Sequence, residues 1–118
     1  MKPKDLATGL MREVVNENVA AYRELFTHTP LSDATDPYWQ RALAFFASLS
    51  EQQRAVFFEV VRQVSVDTVS NVLGVLDGVN AIEGADAGFA VFYGRDQRLD
   101  GDLQSLFLVE DEESTKAR

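Results

Sequence analysis

The sequence predicts a mainly α fold: three longer helices around a central buried helix, followed by a small C-terminal antiparallel β-hairpin and a short helix. Three observations predict it. Ser50 to Gly78 (SEQQRAVFFEVVRQVSVDTVSNVLGVLDG) is a long, strongly apolar stretch punctuated at both ends. Two shorter stretches before it carry apolar residues at helical spacing. After Gly78 the texture changes to glycine-rich sequence with one aromatic, β-branched run, Phe89 to Tyr93.

Taken in chain order, Pro3 opens the first helix, because its missing N–H costs nothing in a first turn. The helix is expected over residues 3–27. Leu10, Met11, Val14, Val15, Val19, Tyr22, Leu25 and Phe26 share one face and Glu13, Asn16, Glu17, Arg23 and Glu24 the other. Asn18 falls inside the apolar arc, where an unpaired amide costs about 1–3 kcal/mol and so requires a partner. His28 to Asp36 is a connection rich in turn formers, with Asp36 as N-cap and Pro37 at the first position of a second helix running to about Leu49. Tyr38, Trp39, Ala42, Phe45, Phe46 and Leu49 are its expected buried side.

Ser50 with Gln53 reads as a capping box, and Gly78 as the left-handed residue that closes the central helix. Spaced at 100° per residue, its apolar side chains occupy an arc of roughly 220°, far wider than the ~100° stripe of a surface helix. Such a helix is expected to be covered on most sides. Beyond it, Phe89 to Tyr93 is the best strand, Gly94 to Gln97 a turn, and Val79 to Glu83 a candidate third strand. Asp100 or Asp102 is placed to cap a last helix through Leu103, Leu106, Phe107 and Val109. Glu110 to Glu113 then sit where the helix dipole disfavours acids, so residues 110–118 are expected to fray. The organisation expected is one domain over 1–118, with a helical core in 1–78, the hairpin and short helix in 79–109, and the acidic tail after them.

With 118 residues, 46% hydrophobic and 25% charged, the chain has ordinary globular composition and enough length for a core without metal or disulfide support. It contains no cysteine, which removes disulfides, thiolate nucleophiles and Cys-ligated metals and fits a reducing, cytoplasmic setting. No run of about 18 apolar residues is present, and Asp5, Arg12 and Glu13 interrupt any signal-peptide core. A net charge of −8 argues against nucleic acid and anionic membranes as partners. Residues 79–118 hold nine acidic and four basic groups, so a partner recognised by charge is expected to be basic.

Candidate chemistry is sparse. Arg62, Ser65 and Thr68 lie within the apolar sector of the central helix, and a buried Arg demands a carboxylate or several carbonyls. With Asn18 they admit three readings: hydroxyls bonded back to their own helix with Arg62 reaching the edge, a polar layer that fixes helix register, or a ligand pocket near Trp39 lined by Asn18, Arg62 and Thr68. His28, the only histidine, lacks the spaced companions of a metal site and suits a helix C-terminus. Asp96, Asp100 and Asp102 miss the twelve-residue calcium-loop pattern and suit turns and caps. No catalytic residue, metal site or cofactor is assigned.

VDTVSNVLGVLDG (66–78), FAVFYG (89–94) and LDGDLQSLFLVEDEE (99–113) resemble segments of small bacterial proteins of unassigned function. The resemblance covers the C-terminal half; it implies an immunity-type or protein-binding role and transfers no catalytic residue. The expected function is therefore a non-catalytic, cytoplasmic, bacterial protein-binding module. Its acidic residues Asp96, Asp100, Asp102, Glu110, Asp111 and Glu112 are expected to steer a basic partner. A small-molecule-binding domain or enzyme, using a pocket between the first, second and central helices, is the alternative. A homodimer through the surplus apolar face is a third reading.

Overall fold

The computed structural model describes residues 1–116, and the chain is mainly α. The first helix runs in three continuous segments, α1 (Pro3–Leu10), a π-helical stretch (Met11–Asn16) and α2 (Glu17–His28). They are followed by α3 (Pro37–Ala47), the 26-residue α4 (Glu51–Leu76), a hairpin of β1 (Phe92–Tyr93) and β2 (Gln97–Arg98), and α5 (Leu103–Lys116). The hairpin is antiparallel, pairing Phe92 with Arg98 and Tyr93 with Gln97 across a turn in which Gly94 takes φ +68°. The strand expected over Phe89 to Tyr93 is thus shortened to two residues, and Val79 to Glu83 forms no strand.

Local punctuation follows the residue chemistry. The Asp36 carboxylate accepts from the Tyr38 N–H at 2.8 Å. Ser50 Oγ accepts from the Gln53 N–H while Gln53 Oε1 accepts from the Ser50 N–H, closing the capping box of α4. Gly78 takes φ +82° just beyond it. The start of α5 departs from expectation, because its cap comes from a distant residue. Asp77, at the end of α4, accepts from the backbone N–H groups of Gly101 at 2.7 Å and Gln104 at 2.8 Å. Asp100 is instead held by Arg98 and by the Val91 N–H. One carboxylate therefore ends one helix and starts another. Gly74 permits the approach: a Cβ there would overlap the Asn80 amide and stand 2.8 Å from Gln104 Nε2, which bonds the Ser70 carbonyl. Asp77→Ala is expected to lower Tm by roughly 4 °C, the effect of losing one helix cap of about 1 kcal/mol in a domain of this size, checked by calorimetry.

Two apolar clusters sit at opposite ends of α4. Ala7, Met11, Val15, Val66, Leu73, Leu103 and Phe107 form one, from α1, the π stretch, the second half of α4 and α5. Phe26, Leu43, Phe46 and Phe58 form the other, with Trp39 and Phe57 packed against it. Tyr38 and Phe45, expected on the buried side of α3, are exposed, and Leu43 takes the inward position.

The expectation that α4 is covered on most sides is overturned. Val56, Val60, Val64 and Val72 are each 55–59% exposed, because α2, the π stretch and α5, the segments that pack along α4, leave that row uncovered. The frayed tail is also corrected. Helix α5 continues to Lys116, and Glu110 and Asp111 are bonded to Thr8 and Arg62 rather than facing water, which offsets the unfavourable dipole position. Residues 117–118 of the expected tail lie outside the described residues.

Asn18 is exposed, not part of the buried face. The π stretch is the reason. Its bonds run i→i+5, about one residue more per turn, so six residues wound this way fall about a third of a turn behind an α-helix. That lag brings Ala7, Met11, Val15, Val19 and Phe26 into line and swings Asn18 to the edge.

Candidate functional site

An open groove of about 520 Å³ lies between the first helix and α4. Val14, Asn18, Tyr22 and Phe26 form one wall, Tyr38 closes one end, and Phe57, Val60, Val61, Val64, Ser65, Thr68 and Val69 form the floor and the other wall. It lies where the first helix and α4 diverge, on the side of α4 away from α5, which is bound to the middle of α4 through Arg62 and Asp111. The floor is β-branched and almost without hydrogen-bonding capacity. Ser65 Oγ donates to the Val61 carbonyl at 2.9 Å and Thr68 Oγ1 to the Val64 carbonyl at 2.7 Å, so both hydroxyls are bonded to their own helix.

Of the four residues expected at a ligand pocket, the structure brings only Asn18 and Thr68 to one groove. Trp39 belongs to the aromatic cluster, 6.0 Å from Phe26 and 6.3 Å from Tyr22 between ring centroids, and lines a separate hollow of about 230 Å³ with Leu25, Ala34 and Asp36. Arg62 points away from the groove. It is 7% exposed, donates from Nη1 to Asp111 Oδ1 at 2.8 Å, and lies against the sulfur of Met11 at 3.8 Å. This pair ties α5 to the centre of α4, and Asp111 is the carboxylate that a buried arginine requires.

The six acidic residues of the C-terminal third divide into two groups. Asp100 accepts from Arg98 at 2.9 and 3.0 Å and from the Val91 N–H at 2.8 Å. The Arg98 hydrogen bonds, helped by the Val91 N–H, hold its carboxyl down at about 2. Glu110 accepts from Thr8 Oγ1 at 2.7 Å, and Asp111 is bound to Arg62. These three serve internal contacts. Asp96, Asp102 and Glu112 are exposed, at the hairpin tip, ahead of α5 and on α5. The same third also exposes apolar side chains: Val79, Ile82, Phe89, Phe92, Tyr93 and Val109. Ile82, Asp86 and Phe89 share a shallow dent with Val75.

His28 is exposed at the end of α2, with Nε2 3.6 Å from the Glu24 carboxylate. Among the described residues no three His, Asp or Glu side chains converge as metal ligands, and no helix is long and apolar enough to cross a membrane. The bare valine row was not read from the sequence as a surface, though its signal is there: positions 56, 60, 64, 68 and 72 recur every four residues on an arc too wide for three short neighbours to cover. Comparison of the chain with protein-family models, curated proteins and solved structures finds no match.

Proposed function

We propose that the chain is a non-catalytic protein-binding module of the bacterial cytoplasm, engaging a basic partner through its C-terminal third. The observation that supports this reading is the pairing of exposed apolar side chains at Ile82, Phe89, Phe92 and Tyr93 with exposed acids at Asp86, Asp96, Asp102 and Glu112. Apolar groups supply the contact area, and the acids draw in and orient a positive partner. The groove beside α4 is open, and the Ser65 and Thr68 hydroxyls on it are bonded to their own helix, which leaves few polar groups to fix a small ligand. Neutralisation of a basic toxin, by covering its active face under a negative potential, is one form this function takes.

The test is kinetic. With a partner isolated from the native host, the on-rate is expected to fall about tenfold or more as NaCl rises from about 0.05 to about 0.5 M. The triple variant Asp96→Asn, Asp102→Asn, Glu112→Gln is expected to lower it similarly at low salt. An on-rate that ignores both changes removes these acids as the steering device.

A further inference from the structure

We propose that two copies of this chain pair through the bare face of α4, antiparallel, with Val64 on a two-fold axis. The exposed row is Val56, Val60, Val64, Thr68 and Val72, its four valines more than half exposed in the single chain. Each step of four turns about 40° around the helix, so the central members Val60, Val64 and Thr68 share one face and Val56 and Val72 flank it on either side. The spacing is self-complementary: Val60 and Thr68 are equidistant from Val64, so an antiparallel copy places Val60 against Thr68 and Val64 against itself. This is the isologous pattern that closed two-fold dimers require. Residues four apart form the ridge that packs into the matching groove of a second helix, and the groove beside α4 offers such a seat. β-branched side chains in a helix are already confined in χ1, so ordering them at a contact loses little entropy.

The surface area points to the same occupant. A monomer of 13.1 kDa is expected to expose about 6,400 Å². This chain exposes 8184 Å² and has a radius of gyration of 17.7 Å, against about 13.5 Å for a compact chain of this length. The surplus of about 1,800 Å² per chain is more than the roughly 800 Å² that each partner contributes to a standard protein interface, so it leaves room for such a contact. A second copy brings to the row the same valine-rich surface, edged by Asp67, whose carboxylate accepts from Gln63 Nε2 at 2.8 Å. The net charge of −8 on each copy acts only from outside the contact, where salt screens it. Self-association therefore strengthens with salt, opposite in sign to capture of a basic partner, so either can fail without the other.

Light scattering on the full chain from about 1 to about 300 µM, at low and at about 0.5 M NaCl, is expected to show a mass of twice 13.1 kDa that is held to lower concentration at high salt, with Tm rising with concentration. Val64→Glu is expected to give the monomer mass throughout while keeping the helical circular dichroism, because residue 64 is solvent-facing in one chain. Register is read by disulfide trapping, for which the absence of native cysteine leaves a clean background. Val64→Cys is expected to crosslink with itself. Val60→Cys and Thr68→Cys are expected to crosslink with each other when mixed and not each with itself. A monomer mass at every concentration, or a dimer unaffected by Val64→Glu, overturns the proposal; self-crosslinking of Val60→Cys and Thr68→Cys overturns the antiparallel register.

Discussion

Arg62→Ala is expected to destabilise the chain by about 3 kcal/mol, the low end of the range for breaking a buried ion pair, because Asp111 keeps some contact with water. Most of the loss comes from what is left behind. Asp111, 20% exposed in its side chain, would remain at the joint between α4 and α5 as an uncompensated charge, and Met11 would face the space vacated by the guanidinium. The double replacement Arg62→Met with Asp111→Leu removes both charges and refills the space, and is expected to recover most of the stability. Urea denaturation of the unsubstituted chain and the two variants reads this directly. A double variant as unstable as Arg62→Ala would mean that the ion pair itself, rather than the avoidance of a lone buried charge, holds α5 in place.

How far the sequence was legible depends on the range of the physics involved. Asp36 before Pro37, Ser50 with Gln53, and Gly78 are local devices whose partners lie within four residues, and each works as its chemistry predicts. Asp77 reaches 27 residues to Gln104, and Thr8 reaches 102 to Glu110, so no local rule assigns them. The placing of Asn18 failed for a different reason. A helical wheel assumes 100° per residue, and the π stretch at Met11–Asn16 breaks that assumption part-way along an otherwise continuous helix. For the candidate site, the wide apolar arc of α4 was visible, but periodicity states only that a face is apolar. Whether the chain itself covers that face depends on where the connections deliver the neighbouring helices. Here they leave the row from Val56 to Val72 bare, which turns an expected core into a surface.

Phe107→Ala is expected to have the largest effect of any single truncation, about 3–5 kcal/mol, and to show whether the two apolar clusters fold together. Phe107 is fully buried among Ala7, Met11, Val15, Val66, Leu73 and Leu103, so its removal loses the transfer free energy of the ring and leaves a cavity that four segments of helix line. Against a total stability of about 5–15 kcal/mol, that is enough to unfold a substantial fraction of a marginal chain. The second cluster offers an independent reporter, since Trp39 is the only tryptophan and packs against Phe26 and Tyr38 at the opposite end of α4. The continuous α4 contributes Val66 and Leu73 to one cluster and Phe58 to the other, so losing one end removes half the support of the rod that carries both. In urea, Trp39 fluorescence and helical circular dichroism are therefore expected to shift together in Phe107→Ala, with one midpoint lowered equally by both probes. A Trp39 transition that stays at its original midpoint while helicity is lost earlier would show that the aromatic end folds on its own, and that α4 connects two units instead of forming the shared axis of one.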